Sequence, residues 1–207
     1  LSGVSNRTPF GNHSTHGVAI INNNNKSKLV LVPILESSIS DDKNIALESR
    51  NNIEFRDVEA LNIVGIDFKV DLILKIGALM RSCQIAGGLE SLLDQSVRYA
   101  NERIQFGRPI AKFQAIQQEL AVLATHVAAS GVAADYASSS MDNGGDELAI
   151  ASAKSRVDDA ISVCASIAHQ VHGAIGFTYE HGLHFSTRRL WSWRAEFGSG
   201  SYWAKIL

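Results

Sequence analysis

The stretch YANERIQFGRPIAKFQ, residues 99–114, contains side chains whose types and spacing could bind a ligand. Arg103 is predicted to end one long helix, and Gln114 is predicted to begin the next. An Arg guanidinium matches phosphate oxygens, the ring of Phe106 offers a face to a planar group, and the amides at a helix start add positive potential. The stretch therefore predicts a site for a planar ligand that carries phosphate.

The same stretch is also compatible with a plain connector between two helices. In that interpretation Arg103 pairs with Glu102 or Glu119, and the ring of Phe106 plugs the core. Composition taken alone favours the connector over the binding loop.

A second candidate stretch, HQVHGAIGFTYEH at residues 169–181, has two glycines in four residues. Gly173 and Gly176 allow the backbone to approach a ligand closely. Gln170 and His172 place hydrogen-bond donors just before this break. The alternative is a helix C-cap followed by a turn, which the glycine spacing favours when it is taken alone.

The first part of the chain has the pattern of a small sheet. Residues 1–66 contain short apolar runs at strand spacing, at residues 17–21, 28–34, 52–58 and 62–66. The alternation of Ile53 and Phe55 with polar residues predicts one buried face and one wet face. The four Asn at residues 22–25 predict a hairpin turn. We therefore expect a partial antiparallel β unit.

The second part of the chain is predicted to be helical from about Lys69, because apolar residues recur there at helical period. Asp146 is predicted to cap a third helix over about residues 147–171, and a shorter fourth helix follows over about residues 182–196. The contact faces of the first two helices carry Leu89, Leu92, Leu93, Ser96 and Val97, and Ile116, Leu120, Leu123 and Val127. The expected fold class is α+β and mainly α, with a β unit at residues 1–66 and an antiparallel four-helix bundle at residues 67–207.

Charge and composition exclude several classes of protein. The 207 residues carry a net charge of -2 with both signs interspersed, which gives no basic stripe for nucleic acid. The purely apolar runs are far shorter than the ~20 residues of a spanning helix, so we expect no membrane span. No basic segment with an apolar segment behind it opens the chain, which favours a cytoplasmic setting. Cys83 and Cys164 are expected to be buried thiols, and no metal site is expected.

Together, the two candidate stretches resemble the C-terminal helical domain of the acyl-CoA dehydrogenase family of flavoproteins. The resemblance rests on YANERIQFGRPIAKFQAIQQELA, on QVHGAIGFTYEHGL some fifty residues later, and on the Arg-Arg that follows. The preceding IEFRDVEALNIVG is similar to the family's last β-domain strand and the lead into its first long helix. The family's N-terminal helical domain and the first part of its β domain have no counterpart in this sequence.

The residues that the resemblance assigns to FAD fall into two groups. The first group, in the family's RxxFG and FQ motifs, is expected to contact the diphosphate and the nucleotide portion: Arg103, Gln105, Phe106, Ile110, Phe113 and Gln114. The second group, in the family's QxxGG turn, is expected to reach the flavin of a neighbouring subunit: Gln170, His172, Gly173 and Ala174. Ala174 departs from the family pattern because it replaces the second glycine. A flavin site that crosses a subunit boundary implies a homodimer or homotetramer.

The family's reaction is αβ-dehydrogenation of an acyl-CoA thioester. A carboxylate removes the α-proton, FAD accepts the β-hydride, and an electron-transferring flavoprotein takes the electrons. The chain departs from this pattern at the carboxylate: the usual Glu position corresponds to Gly198, and the alternative position on the first long helix falls near Gly77. A glycine cannot accept a proton. Glu196 and Asp71 are the weak remaining candidates, and a solvated surface carboxylate is the alternative interpretation of both.

Two hypotheses about function follow from the resemblance. In the first, the chain belongs to an acyl-CoA dehydrogenase that carries out the reaction with FAD. In the second, it is a catalytically silent homologue or the non-catalytic subunit of a heteromeric dehydrogenase. The missing Glu favours the second hypothesis, and Arg103 with Phe106 favours flavin binding in either.

Overall fold

A computed structural model describes residues 1–23, 26–35, 37–66 and 70–207. The contacts divide the chain into two compact units, Leu1–Leu72 and Ile73–Leu207. Asn24 and Asn25 of the predicted hairpin turn lie outside the described residues, as does Lys69, where the sequence predicts the first helix to begin.

The first unit consists of two small antiparallel sheets. Its strands are β1 (Gly3–Pro9), β2 (His16–Asn23), β3 (Lys26–Pro33), β4 (Ser38–Ser40), β5 (Arg50–Phe55) and β6 (Asn62–Gly65), in the orders β1-β5-β4 and β2-β3-β6. The four predicted strands correspond to β2, β3, β5 and β6. β1 and β4 were not predicted, because neither carries an apolar alternation and both face mostly outwards.

The core of this unit is formed by the strand faces that the alternation of apolar and polar residues predicts to be buried. Ile53 and Phe55 are buried, and they pack with Val30, Val32 and Ile34. Because the buried face is a regular period-two stripe, the register follows from the apolar pattern.

The second unit is a helical bundle. Its elements are α1 (Asp71–Glu102), a short hairpin of β7 (Ile104–Gln105) and β8 (Arg108–Pro109), α2 (Gln114–Ser140), α3 (Glu147–His172), α4 (Leu183–Arg194) and α5 (Gly200–Trp203). The predicted fold class, mainly α with an antiparallel four-helix bundle, is confirmed. The predicted cap of α3 is also present, because Oδ1 of Asp146 accepts a hydrogen bond of 2.9 Å from Leu148 N–H.

α3 is the central helix of the bundle core. Its buried stripe includes Ile161, Cys164 and Ala168, and it packs against Leu92 of α1 and Leu123 of α2. Leu89 and Ser96 of the predicted α1 face are buried as well, and the other residues predicted at these two contact faces are partly buried or, for Val97, exposed: Leu93, Val97, Ile116, Leu120 and Val127.

Three helical segments are long and apolar enough to cross a membrane, judged by length and composition only: Asp71–Glu102, Gln114–Ser140 and Glu147–Phe177. The expectation of no membrane span is therefore not supported by composition. It was based on unbroken apolar runs, and these helices are instead made apolar by frequent Ala and by scattered Leu, Ile and Val.

The two cysteines differ in their environment. Cys164 is buried in α3, and burial raises the pKa of its thiol to about 11. The prediction of a buried thiol is wrong for Cys83, which is exposed and lies 3.4 Å from the Ser138 hydroxyl. Among the described residues, no group of three or more His, Cys, Asp or Glu side chains could hold a metal ion.

A buried ion pair connects α3 to the C-terminal segment. Lys154 donates to Oδ1 of Asp158 at 2.9 Å and to the carbonyl oxygen of Arg194 at 2.7 Å. Oδ2 of Asp158 accepts a 2.5 Å hydrogen bond from Gly200 N–H. Burial lowers the pKa of the Lys154 ammonium, and its hydrogen bond to Asp158 opposes that shift. The pair thus fixes the position of residues 194–200 against the middle of α3.

Replacement of Asp158 by Ala is expected to destabilise the bundle by about 3–5 kcal/mol, because Lys154 would stay buried without its counter-charge. Urea unfolding followed by far-UV circular dichroism measures this loss. The matched control is Glu147→Ala, which removes the more exposed 3.3 Å ion pair with Lys75 and is expected to cost about 1 kcal/mol or less. Equal losses in the two variants would contradict the role of the buried pair.

Candidate functional site

The connector between α1 and α2 is a tight β-hairpin. Gln105 pairs with Arg108, and Phe106 and Gly107 form the two-residue turn with φ angles of 52° and 77°. A hairpin turn with positive φ at both residues suits Gly, and it is uncommon for Phe. The turn leaves the Phe106 residue 92% exposed.

Arg103 lies at the base of this hairpin. Its backbone N–H donates to Tyr99 at 2.8 Å, and its carbonyl oxygen accepts from Ile110 N–H at 2.9 Å. The Arg103 side chain is exposed and, within the described part of the chain, pairs with neither Glu102 nor Glu119. The two contacts that the plain-connector interpretation expects, an ion pair of Arg103 with Glu102 or Glu119 and a buried Phe106 ring, are thus not found among the described residues.

The remaining residues of the first group lie where the hairpin meets α2. The Arg108 guanidinium lies 4.3 Å above the ring of Phe113, and the Phe106 ring meets the same ring edge-on at 6.1 Å. Gln105 and Gln114 are exposed, and Ile110 packs against the bundle core. The end of the bundle thus presents two guanidinium groups, exposed aromatic surface and amide side chains together.

The second candidate stretch ends α3. Gly173 is the C-cap, with φ 63° and ψ −146°, and its N–H bonds to the carbonyl oxygen of His169, as the C-cap interpretation predicts. A Cβ on Gly173 would meet nothing within 4 Å, so open space lies beside this backbone. Gln170 and Ala174 are exposed on either side of it. The turn therefore combines a helix end with an accessible backbone.

His172 does not place a donor at the surface. It is only 3% exposed, its Nδ1 bonds to the carbonyl oxygen of Ala168 at 2.7 Å, and its ring stacks on Tyr99 at 4.5 Å. The His181 ring lies 4.8 Å away on a further side. Burial lowers the pKa of the His172 imidazole, with smaller contributions from the neighbouring His181 and His169. His172 thus joins the end of α3 to the end of α1, and it positions the two candidate stretches.

Both glycines at the expected carboxylate positions are closed by aromatic rings. A Cβ on Gly77 would overlap the ring of Phe197. A Cβ on Gly198 would lie 2.7 Å from Nε1 of Trp203 and 2.8 Å from the Tyr202 ring, and Gly198 has φ 89°. The space that a carboxylate side chain would need is filled at each position.

Glu196, the first of the two weak candidates for the missing carboxylate, is held by Arg81. Its Oε2 accepts a 2.6 Å hydrogen bond from Nε of Arg81, and the same guanidinium lies 5.3 Å from the Trp193 ring centre. Asp71, the other weak candidate, stands in the first turn of α1.

Residues 66–201 match the family model described as the C-terminal domain of acyl-CoA dehydrogenase. Because this match covers most of the sequence, the chain belongs to the acyl-CoA dehydrogenase family. The resemblance seen in the two motifs is thereby confirmed.

Curated relatives are similar over about half of the chain. Acyl-CoA dehydrogenase IpdE2 of Mycobacterium tuberculosis is 34% identical over 113 residues, which are 54% of this chain and 34% of the relative. Glutaryl-CoA dehydrogenase of Desulfococcus multivorans is 38% identical over 101 residues, which are 46% of this chain and 26% of the relative. The chain thus spans about a third or less of the length of these relatives.

Solved structures show the same fold. The ChsE4-ChsE5 complex from Mycobacterium tuberculosis matches with a TM-score of 0.90 and 20% identity, over 100% of this chain and 58% of that chain. The complex of glutaryl-coenzyme A dehydrogenase with glutaryl-CoA matches with a TM-score of 0.90 and 22% identity, over 100% of this chain and 57% of that chain. At these identities the likeness establishes the fold.

Replacement of Gly77 by Ala is expected to destabilise the bundle by about 1–3 kcal/mol, because the new methyl group overlaps the Phe197 ring. In the Phe197→Ala background the same change is expected to stabilise by up to ~1 kcal/mol, since Ala is the better helix former. Urea unfolding of the four variants of this double-mutant cycle measures the coupling.

The matched control for this cycle is Gly87→Ala in the same helix. A Cβ on Gly87 meets nothing within 4 Å, so this change is expected to be stabilising in both backgrounds. A Gly77→Ala effect that does not depend on residue 197 would show that the ring does not close this position.

Proposed function

We propose that this chain is a flavin-binding, non-catalytic subunit of a heteromeric acyl-CoA dehydrogenase. The assembled protein carries out αβ-dehydrogenation of an acyl-CoA thioester, and another subunit supplies the carboxylate that removes the α-proton. The observation that carries this proposal is the closure of Gly77 by Phe197 and of Gly198 by Trp203 and Tyr202.

The residues of the chain fit FAD in two respects. The Arg103 guanidinium and the Phe106 ring are both exposed at one end of the bundle, where they can meet a phosphate and a planar group. The open space beside Gly173 leaves room for a ligand to approach the backbone. FAD, when bound, supplies the hydride acceptor of the reaction. The chain's contribution is to bind and orient it through Arg103, Gln105, Phe106, Ile110, Phe113 and Gln114 and, toward a neighbouring subunit, Gln170, Gly173 and Ala174.

His172 has a different part in this proposal. Because its side chain is buried against Tyr99, it supports the turn at Gly173 from behind and leaves contact with the flavin to its neighbours. The Nδ1 bond to Ala168 fixes the orientation of its ring.

The similarity to known assemblies supports the choice of partners. The ChsE4-ChsE5 complex, whose fold this chain shares, contains two different chains. The caffeyl-CoA reductase-Etf complex subunit CarC of Acetobacterium woodii is 36% identical to this chain over 109 residues. We propose a dimer or tetramer that includes a second dehydrogenase subunit, an electron-transferring flavoprotein as electron acceptor, and a cytoplasmic setting.

Exchange of the α-proton of an acyl-CoA thioester for deuterium tests whether this chain has a catalytic base. The protein is incubated in D₂O with straight-chain and branched-chain acyl-CoA thioesters, and mass spectrometry follows deuterium uptake. No uptake above the protein-free rate is expected. The variant Phe197→Glu places a carboxylate where the ring now packs on Gly77, and it is expected to gain exchange. Gly198→Glu is expected to gain none, because Trp203 and Tyr202 close that position.

One outcome would contradict the silent-subunit proposal, and a second would remove the support for an acyl thioester at this site. Exchange by the unmodified protein that is lost in Glu196→Gln would make Glu196 the base of a complete enzyme. Absence of exchange in the Phe197→Glu variant as well would remove the support for an acyl thioester at this site. Asp159→Asn, which alters an exposed carboxylate of α3, is the control for Glu196→Gln.

Replacement of Arg103 by Ala is expected to weaken flavin binding about tenfold or more, because a charge-assisted hydrogen bond contributes roughly 1.5–3 kcal/mol. Fluorescence titration with FAD measures the affinity, and circular dichroism checks that helicity is intact. Arg98→Ala removes an exposed Arg near the end of α1 and is expected to leave the affinity unchanged. An Arg103 variant that binds FAD as well as the unmodified protein would rule out this contact.

A further inference from the structure

Three rings, those of Tyr99, His172 and His181, form a stack that joins the two stretches assigned to FAD. The His172 imidazole stacks on the Tyr99 phenol with ring centres 4.5 Å apart. The His181 ring meets the other two edge-on, at 4.8 Å from His172 and 5.9 Å from Tyr99. Because each ring packs on the other two, the ring stack is expected to move as a unit.

The ring stack is connected to both stretches through the backbone. Tyr99 lies one helical turn before Arg103, and its carbonyl oxygen accepts a 2.8 Å hydrogen bond from Arg103 N–H at the base of the connector hairpin. His172 directly precedes Gly173, whose N–H bonds to the carbonyl oxygen of His169 at the end of α3. A displacement of the rings is therefore transmitted to the hairpin and to the Gly173 turn.

The hydrogen bonds of His172 determine its tautomer. Nδ1 lies 2.7 Å from the carbonyl oxygen of Ala168, which can only accept, so Nδ1 carries the proton. Nε2 is buried and meets no hydrogen-bond partner among the described residues. A second proton at Nε2 would create a buried cation whose new N–H has no acceptor in the same part of the chain, and such a group is costly.

The groups that face His172 do not favour a positive charge. They are the Tyr99 phenol of α1, His169 of its own helix and His181 of the following turn, and no carboxylate of the described ranges contributes to the shift of its pKa. Burial lowers the pKa of His172 from its ordinary value of 6.5, the two histidines lower it further, and the bond to Ala168 opposes the shift. His172 is therefore uncharged at neutral pH.

We propose that Tyr99, His172 and His181 are positioning residues for flavin: the ring stack fixes the connector hairpin and the Gly173 turn together, and it does so only while His172 is uncharged. This inference rests on the proposed flavin-binding function. Protonation of His172 separates the rings, because the cation moves toward water, and both stretches then lose their support. Flavin binding thereby becomes sensitive to mild acid.

Hydrogen exchange without flavin tests the ring stack by itself. Mass spectrometry follows deuterium uptake by peptides that contain residues 103–110 and Gly173, with correction for the intrinsic effect of pH on exchange. Both peptides of the unmodified protein are expected to exchange at least about threefold faster near pH 5 than near pH 7.5, because the stack opens. His172→Phe keeps a ring that cannot be protonated, so its corrected exchange is expected to be independent of pH. His184→Phe removes a half-buried imidazole outside the stack and is expected to keep the pH response.

Variants of Tyr99 test whether the coupling runs in both directions. Tyr99→Leu removes a ring on α1 and is expected to speed exchange at Gly173, at the end of another helix, as well as in the hairpin. Tyr99→Phe keeps the ring and is expected to exchange as the unmodified protein does. Circular dichroism checks the helicity of each variant.

The affinity for FAD tests the consequence for binding. Fluorescence titration with FAD is carried out from about pH 8 to about pH 5. The dissociation constant of the unmodified protein is expected to be constant above pH 6.5 and to rise by up to roughly tenfold per pH unit below the lowered pKa of His172, because only the uncharged form binds. His172→Phe is expected to show no such rise, and His184→Phe is expected to retain it.

The inference is overturned if the exchange of both peptides responds equally to pH in the unmodified protein and in His172→Phe, or if Tyr99→Leu changes exchange in the hairpin alone. FAD binding with an affinity that does not change with pH overturns it as well. Absence of FAD binding at every pH would instead contradict the proposed function, and exchange without flavin then still decides whether the stack couples the two stretches. If His172→Phe does not fold, the comparison of Tyr99→Leu with Tyr99→Phe gives the same decision.

Discussion

The buried pair of Lys154 and Asp158 determines the shape of the C-terminal part of the bundle. Two buried opposite charges are stabilising only when their remaining hydrogen-bonding capacity is satisfied. Here the carbonyl oxygen of Arg194 and the N–H of Gly200 satisfy it. Gly200 must be a glycine, because a Cβ there would lie 2.6 Å from Cβ of Asp158. The segment between Arg194 and Gly200 therefore has little conformational freedom, and the ion pair sets the orientation of its side chains.

The two candidate regions of the helical unit therefore differ: one is filled by aromatic side chains, and the other is exposed. The segment held by the pair carries Phe197 and Gly198, and Nε1 of Trp203 bonds to the Phe197 carbonyl oxygen at 2.9 Å. This arrangement turns the Phe197 ring onto Gly77 and leaves no room for a carboxylate. The hairpin at the end of α1 and α2, in contrast, keeps Arg103 and Phe106 exposed. The hairpin thus leaves its side chains accessible, whereas aromatic rings fill the space beside Gly77 and Gly198.

The sequence predicted those parts of the molecule that depend on local periodicity. Helices α1 to α4 and four of the six strands among the described residues of the first unit follow from apolar spacing, because burial repeats with the period of the element. Strand β1 was not predicted, because it pairs with β5 through backbone hydrogen bonds and carries no apolar alternation that the sequence could show. The buried position of His172 was readable, because His172 continues the stripe of Cys164 and Ala168 along α3. The exposed position of the Phe106 ring could not be predicted from composition, because Phe-Gly is not a common residue pair for this type of hairpin turn.

The sequence also showed that Gly77 and Gly198 lack a carboxylate, and it could not show that rings fill both spaces. That contact joins residues far apart in the chain, and it depends on where the buried pair places Phe197. The same limit applies to Glu196, whose partner Arg81 lies on another helix. Long-range packing of this kind is set by tertiary structure, which no local pattern encodes.

The interlock between Phe197 and Gly77 also constrains the order in which mutations can accumulate. A Cβ at position 77 overlaps the Phe197 ring, so residue 77 can become larger without loss of stability only after residue 197 has become smaller. An exchange at position 77 alone lowers the stability of the bundle, and no new contact compensates for this loss. A form with a carboxylate at position 77 of α1 therefore differs from this protein by at least two coupled exchanges, at positions 197 and 77.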